Sequence, residues 1–259
     1  MKNQPWWLLL IALYLPMSHA EDAGLARIFQ AAGVKGTMVI ANLDGTRQFV
    51  HNDNRANTRL PAASTFKILN SLIALDGGAI SGPDEVFIWN GHHYDIPVWN
   101  QNHTLATAYT ASCVWCYQKI ASRINPETYK AHIRLAGYGQ LAEPFDQTHF
   151  WLDGSLKISA LEQIEFLRKL VKRSLPYKAA SYNTLHDIMV VEKTETYTVR
   201  AKSGWATSSA PQTGWYVGYV ETKSGTWLFA LNMEISDKSQ LPLRQQVTMR
   251  GLKGKGIIQ

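Results

Sequence analysis

Apolar and polar positions alternate through "GTMVIANLDGTRQFVHN", residues 36–52, and the alternation breaks at Asp44-Gly45. That pattern predicts an N-terminal β-hairpin. The period then lengthens. Helical spacing runs from Ser64 to Leu75, from Ser112 to Arg123, and through "NPETYKAHIRLAGYG", where Asn125 offers a cap and Pro126 suits the first turn. "SALEQIEFLRKLVK" opens with a capping box, Ser159 to Glu162. Alternation returns in "TYTVRAKSG" and in "TGWYVGYVETKSGTWLFALNME", a hairpin turning at Ser224-Gly225, before a last helix from about Leu241 to Gly251. Strand pairs at both ends with helices between predict a mixed α/β fold. In it an antiparallel sheet is built from both termini and flanked by helices, with a helical lobe from about 64 to 150. With no repeat or linker in view, residues 21–259 read as one domain. A site between sheet and lobe is the natural expectation.

The first twenty residues read differently. Lys2, the apolar run "WWLLLIALYL" and Ser18-His19-Ala20 form an export signal cleaved after Ala20. No later run is apolar enough to span a bilayer, so the expected location is the periplasm. The net charge of +6 is scattered without a basic block, which argues against nucleic acid and weakly suits an anionic small substrate.

Chemistry enters at "STFK", residues 64–67. Ser64 and Lys67 share a helical face, so the amine can reach the hydroxyl. A serine needs a base to become a nucleophile, and an apolar pocket makes a lysine basic by lowering its pKa. About one Ser-x-x-Lys is expected by chance in a chain of this composition, but this one has company. Ser112 in "SCV" lies near the start of another helix, and Lys202-Ser203-Gly204 closes a strand leading into Trp205. This order of motifs characterises the penicillin-recognising serine enzymes. Ser112 can pass a proton to a departing ring nitrogen, and Lys202 tunes that relay and attracts an anion. Ser203 offers a hydroxyl to a carboxylate, and Gly204 lets the strand approach closely. The backbone N–H groups of Ser64 and Trp205 would form an oxyanion hole.

The chain resembles the class D, OXA-type serine β-lactamases in "STFK", "SCV", "YGQ" (138–140), "FWLDGSLKISALEQIEFLRKL" (150–170), "KSG" and "LPLRQQ" (241–246). The resemblance implies hydrolysis of penicillins and related β-lactams through an acyl-serine, and resistance to them. It implies that Arg244 joins Ser203 on the substrate carboxylate, and that Trp99 lines the cleft mouth or packs in the core. It also implies that Lys67 carries a carbamate made from CO₂, which serves as general base in both acylation and deacylation. Only an unprotonated amine forms a carbamate, so Phe66, Val114, Tyr117 and Leu152 are expected as an apolar wall, with the Trp151 indole N–H donating to the carbamate. No other cofactor or metal is implied, and a homodimer is left open. Neither Glu-x-x-Leu-Asn nor Tyr-x-Asn occurs, so the water-activating groups of the other serine classes are not at hand.

"YGQ" departs from the family's Tyr-Gly-Asn, and the longer Gln140 is expected to alter the site floor. The runner-up readings are a β-lactam sensor that stays acylated and a small transpeptidase. Cys113 and Cys116 are expected to pack as small apolar residues, with a local disulfide as the next reading. His92, His93, Asp95 and His103 lack helical metal spacing and read as surface or packing residues.

Overall fold

The computed structural model describes residues 20–259, so the export-signal reading falls outside the described residues except at Ala20. The central layer is a six-stranded antiparallel sheet: β1 (Gly36–Asn42), β2 (Gln48–His51), β8 (Val190–Lys193), β9 (Tyr197–Ala206), β10 (Gln212–Thr222) and β11 (Gly225–Ile235). Their spatial order is β2-β1-β11-β10-β9-β8. Two short strands, β3 (Leu60–Pro61) and β6 (Gln140–Leu141), flank β7 (Leu156–Ile158), and β4 (Val86–Phe87) pairs with β5 (His103–Thr104). The sheet does join both chain ends. β1 lies along β11 in the register Gly36↔Met233 to Asn42↔Trp227. Both expected hairpins form, and the second turns at Lys223-Ser224, where Gly225 takes φ +128°.

One face of the sheet buries Met38, Ile40, Val199, Tyr216, Phe229 and Leu231 beneath α1 (Ala23–Ala32) and α9 (Leu243–Gly254). The two helices meet where Lys255 Nζ reaches the Asp22 carboxylate at 2.6 Å. That ion pair holds the Asp22 carboxyl below its usual range despite burial, which acts the other way. The opposite face buries Val39, Ala41, Trp215, Val217, Leu228 and Ala230 against α7 (Ala160–Val171) and the helices of the lobe. These are α3 (Lys67–Asp76), α4 (Leu105–Thr110), α5 (Val114–Ala121) and α6 (Pro126–Ala136). Two further helices, α2 (Asp53–Asn57) and α8 (Ala179–Ile188), complete the chain.

Local signals explain the elements. Ser159 and Glu162 make the expected reciprocal capping bonds at α7, at 3.1 and 2.9 Å. Asn125 caps α6 through Glu127 N, with Pro126 at its first position. The alternation and the long helical runs do not mark α1, α8 or β8. Asp22 caps α1 through Leu25 N, and Gly33 ends it in a left-handed conformation.

Two boundaries differ in ways that matter. The helix expected from Ser64 begins as a 3₁₀ turn, Ala63–Phe66, and becomes α-helical only at Lys67. In a 3₁₀ turn residues i and i+3 eclipse, which brings Lys67 over Ser64 more directly than an α-helix would. Ser112 stands outside its helix, in a turn at φ +52°, with α5 starting two residues later.

Candidate active site

Ser64 sits on the 3₁₀ turn where the lobe meets the sheet, and Ala63 before it is held at φ +48°. Such a conformation persists only where surrounding packing fixes it. Strand β9 supplies that packing. A Cβ on Gly204 would lie 3.1 Å from the Thr65 methyl, 3.2 Å from Trp215 Cβ and 3.4 Å from Thr65 N. The bare glycine therefore seats the nucleophile's turn against the strand, beyond the approach to substrate expected from sequence.

Lys67 is fully buried and its Nζ donates to Ser64 Oγ at 2.9 Å. The amine lies 5.0 Å from the centre of the Tyr117 ring, and the Tyr117 hydroxyl shares a 2.7 Å hydrogen bond with Ser71 Oγ. Among the described residues no ion pair joins a carboxylate to Lys67. Burial, and then the charge of Lys202, drives the Lys67 pKa well below the ordinary lysine value. An unpaired buried ammonium is costly, so the neutral amine is the form that fits.

Behind it, Phe66 packs on Tyr129, Tyr138, Phe150 and Trp151, all fully buried. Trp151 presents an unusual feature in that dry wall: its Nε1 is buried with no hydrogen-bond partner among the described residues. Buried indole donors ordinarily find a partner, and leaving one unpaired costs about 1–3 kcal/mol.

A cavity of about 220 Å³ opens in front of Ser64. Trp99, Ser112, Val114, Leu152, Ser203, Gly204, Trp205 and Arg244 line it, together with Ile96, Ala111 and Leu241. The residues expected to bind substrate are thus gathered on one hollow, and Val114 and Leu152 line it too. Lys202 enters from an adjoining cavity of about 500 Å³ that shares Ser203, Leu241 and Arg244. Its Nζ donates to the Ser203 carbonyl at 3.1 Å and lies 5.5 Å from the Tyr109 ring centre. Burial, reinforced by the charge of Arg244, pulls its pKa to about 7. Arg244 is itself pushed down to about 10 by burial. Its Nε and Nη1 donate to the carbonyls of Leu241 and Gly204, each at 2.6 Å, which fixes the guanidinium at the cavity edge.

Trp99 unites the two roles left open for it. It lines the cavity, its Nε1 donates to the Ala111 carbonyl at 2.9 Å, and its own carbonyl accepts from Trp115 Nε1 at 2.9 Å. Ile96, Leu241 and Tyr109 were not singled out from sequence. Leu241 opens the "LPLRQQ" segment and Tyr109 stands three residues before Ser112, which are the only signals that point to them.

Two expectations need correction. Gln140 does not reach the site floor: it is exposed, and its Oε1 accepts from Arg59 Nη1 at 3.0 Å. The contribution of "YGQ" comes through Tyr138, whose hydroxyl hydrogen-bonds Thr65 Oγ1 at 3.0 Å and accepts from Gln163 at 3.3 Å. The second correction concerns Cys113 and Cys116, which are joined in a disulfide rather than packed as separate thiols. The packing role expected of the histidines holds for His103, which is buried beside the sulfurs. His103 falls within 4.8 Å of both, in the one group among the described residues that has metal-binding geometry. With the sulfurs committed to each other, the His103 ring nitrogens meet the Val98 carbonyl at 2.9 Å and Thr107 Oγ1 at 3.1 Å. His92, His93 and Asp95 do not join that group.

Comparisons with known proteins agree with this geometry. Residues 34–252 match the family described as penicillin binding protein transpeptidase domain. β-Lactamase OXA-48 of Klebsiella pneumoniae is 40% identical over 224 residues, covering 86% of this chain and 84% of that protein. β-Lactamase OXA-20 of Pseudomonas aeruginosa is 35% identical, covering 85% and 82%. Among solved structures, a class D β-lactamase, YbXI, from Nostoc aligns with a TM-score of 0.87 at 38% identity, covering 90% of this chain and 98% of its own. FUS-1 (OXA-85), a class D β-lactamase from Fusobacterium nucleatum subsp. polymorphum, gives 0.89 at 33% identity, covering 93% and 100%.

Proposed function

The chain belongs to the class D, OXA-type serine β-lactamases, enzymes that hydrolyse β-lactams, and from that premise we propose that Lys67 in carboxylated form is its general base. The observation that carries this reading is a fully buried amine 2.9 Å from Ser64 Oγ, its pKa driven down by burial, together with a buried Trp151 indole N–H, packed on the neighbouring Phe66, that has no partner among the described residues. When bound to that amine, CO₂ supplies a carbamate: a negative charge and acceptor oxygens at a lysine that no carboxylate pairs with among the described residues.

The chain's own residues account for the remaining steps. Ser64 Oγ surrenders its proton toward the Lys67 side chain as it attacks the lactam carbonyl. Backbone N–H groups of Ser64 and Trp205 receive the developing oxyanion. Ser112 hands a proton to the ring nitrogen as the amide bond breaks, and Lys202, poised near neutrality, tunes that transfer. Ser203 and the free edge of Arg244 hold the substrate carboxylate, while Trp99, Val114 and Leu152 shape the remaining walls. Water then attacks the acyl-serine and gives its proton to the same Lys67 side chain.

Export to the periplasm, with resistance to β-lactams as the outcome, follows from the N-terminal signal and the family. Among the described residues no helix is long and apolar enough to cross a membrane. The test is a steady-state panel of benzylpenicillin, a chromogenic cephalosporin and a carbapenem, with and without bicarbonate, alongside a ¹³C spectrum after labelled bicarbonate. Turnover that rises with bicarbonate, with a carbamate resonance, is expected. Full activity in CO₂-free buffer with an empty spectrum would refute the base assignment. Intact mass would separate this reading from a sensor or transpeptidase, in which the acyl adduct persists.

A further inference from the structure

Ser112 occupies a left-handed backbone conformation, φ +52°, that a serine rarely adopts. Something must hold it there. Upstream the turn is tied by Ser112 N to the Tyr109 carbonyl at 3.1 Å and by Cys113 N to the Ala108 carbonyl at 2.9 Å. Downstream, α5 begins with Cys113 in the capping position, where serine, threonine or aspartate normally supplies an oxygen. Sulfur is a weak acceptor, and Cys113 Sγ meets Cys116 N at 3.2 Å. The bond to Cys116 closes that first turn covalently instead. Ser112 precedes the closed turn and Val114 lies within it, and both side chains line the catalytic cavity. Both cysteines are fully buried, so an attacking thiolate has no route to either sulfur in the folded protein.

We propose that the Cys113–Cys116 disulfide is a covalent helix cap that positions Ser112 for proton transfer to the departing ring nitrogen, rather than a redox-exchange pair. The proposal rests on the reading of Ser112 as that relay. Such a clamp acts on acylation, the step in which the nitrogen leaves, and not on deacylation.

The full chain is refolded under a dithiol reductant and assayed with benzylpenicillin in excess bicarbonate. It is then unfolded, oxidised with glutathione disulfide, which takes up the two thiol hydrogens as two glutathione thiols while the Cys113–Cys116 bond forms, and refolded. Acylation at least tenfold slower in the reduced form, unchanged deacylation, and recovery on oxidation are expected. Equal acylation rates in the two forms would overturn the clamp. So would an equal loss in both steps or a loss confined to the active fraction, either of which marks a merely structural bond. Cys113→Ser with Cys116→Val keeps an oxygen cap and apolar volume without the cross-link. It should acylate at a rate between the two forms, and a rate equal to the oxidised protein would also overturn the proposal. Free thiols in the denatured, unreduced exported protein would do the same. Ser112→Ala with the disulfide intact separates the two levels. Unchanged acylation there sinks the relay and the proposal with it, whereas slow Ser112→Ala beside redox-insensitive wild type sinks the clamp alone.

Discussion

Trp151→Phe removes one hydrogen-bond donor from the wall behind Lys67 and leaves most of the aromatic packing on Phe66 and Phe150 in place. In carboxylated protein the lost bond is one to a charged acceptor, worth about 1.5–3 kcal/mol. At about 1.4 kcal/mol per decade, CO₂ should bind Lys67 about 10- to 150-fold more weakly. Stability in CO₂-free buffer should change little. The shorter ring opens a void of about 40 Å³, costing about 1 kcal/mol, while removal of a donor that is buried without a partner relieves a penalty of similar size. The assay is turnover of benzylpenicillin across a bicarbonate titration. The half-saturating concentration should rise at least tenfold, with most of kcat recovered at saturation. Bicarbonate should also raise the melting temperature of the wild type more than that of the variant. An unchanged half-saturating concentration would refute the pairing of this indole with the modified lysine.

Lys67→Ala should lower turnover at least about 10²-fold, with acyl-enzyme accumulating by intact mass, since it removes the proposed general base. Val114→Asp should place a protein carboxylate beside Ser64 and make any activity indifferent to bicarbonate, checked by the same titration. Lys202 releases its proton near pH 7 in the folded chain and near 10.5 when unfolded. The unfolded state therefore binds the extra proton between those values, so this group's contribution makes stability rise with pH across that window. Affinity for an anionic substrate should meanwhile fall as pH passes 7, read as a rising KM. Gly139→Ala should cost at least about 3 kcal/mol in denaturant melts. Its φ is +66°, and a Cβ would stand 2.0 Å from the Lys157 carbonyl.

Much of this was legible because local rules and tertiary packing agree. The capping box at Ser159 and the Asn125-Pro126 start of α6 follow from sequence because each satisfies its own orphan N–H groups. Helix α1 was less visible, since its ten residues follow directly on a leader-like run and only Leu25 and Phe29 of its apolar positions are buried. The identities of the site residues were readable from motifs, whereas their causes were not. Nothing in "KSG" announces that Gly204 makes room for Thr65, and nothing in "STFK" announces a 3₁₀ turn. Gln140 misled because Tyr138, two residues earlier, does bond beside the nucleophile. Gly139 between them turns the chain at φ +66°, and Gln140 goes out to Arg59. The cysteine spacing fits both packed thiols and a bond, and only the cap geometry of α5 decides between them.

The pairing of β1 with β11 carries a consequence for how the enzyme comes into being. Nearly two hundred residues separate the partners Gly36 and Met233, so the first hairpin of the chain has no second neighbour until the last hairpin has been delivered. Strand β9, against which the Ser64 turn is seated, also arrives late. A chain emerging in order through a secretion pore would therefore hold its nucleophile, Lys67 and the aromatic wall for most of its passage without the partner that makes them a catalyst. Contacts of such long range close slowly, so hydrolysis should switch on only after the C-terminal strands are free on the far side.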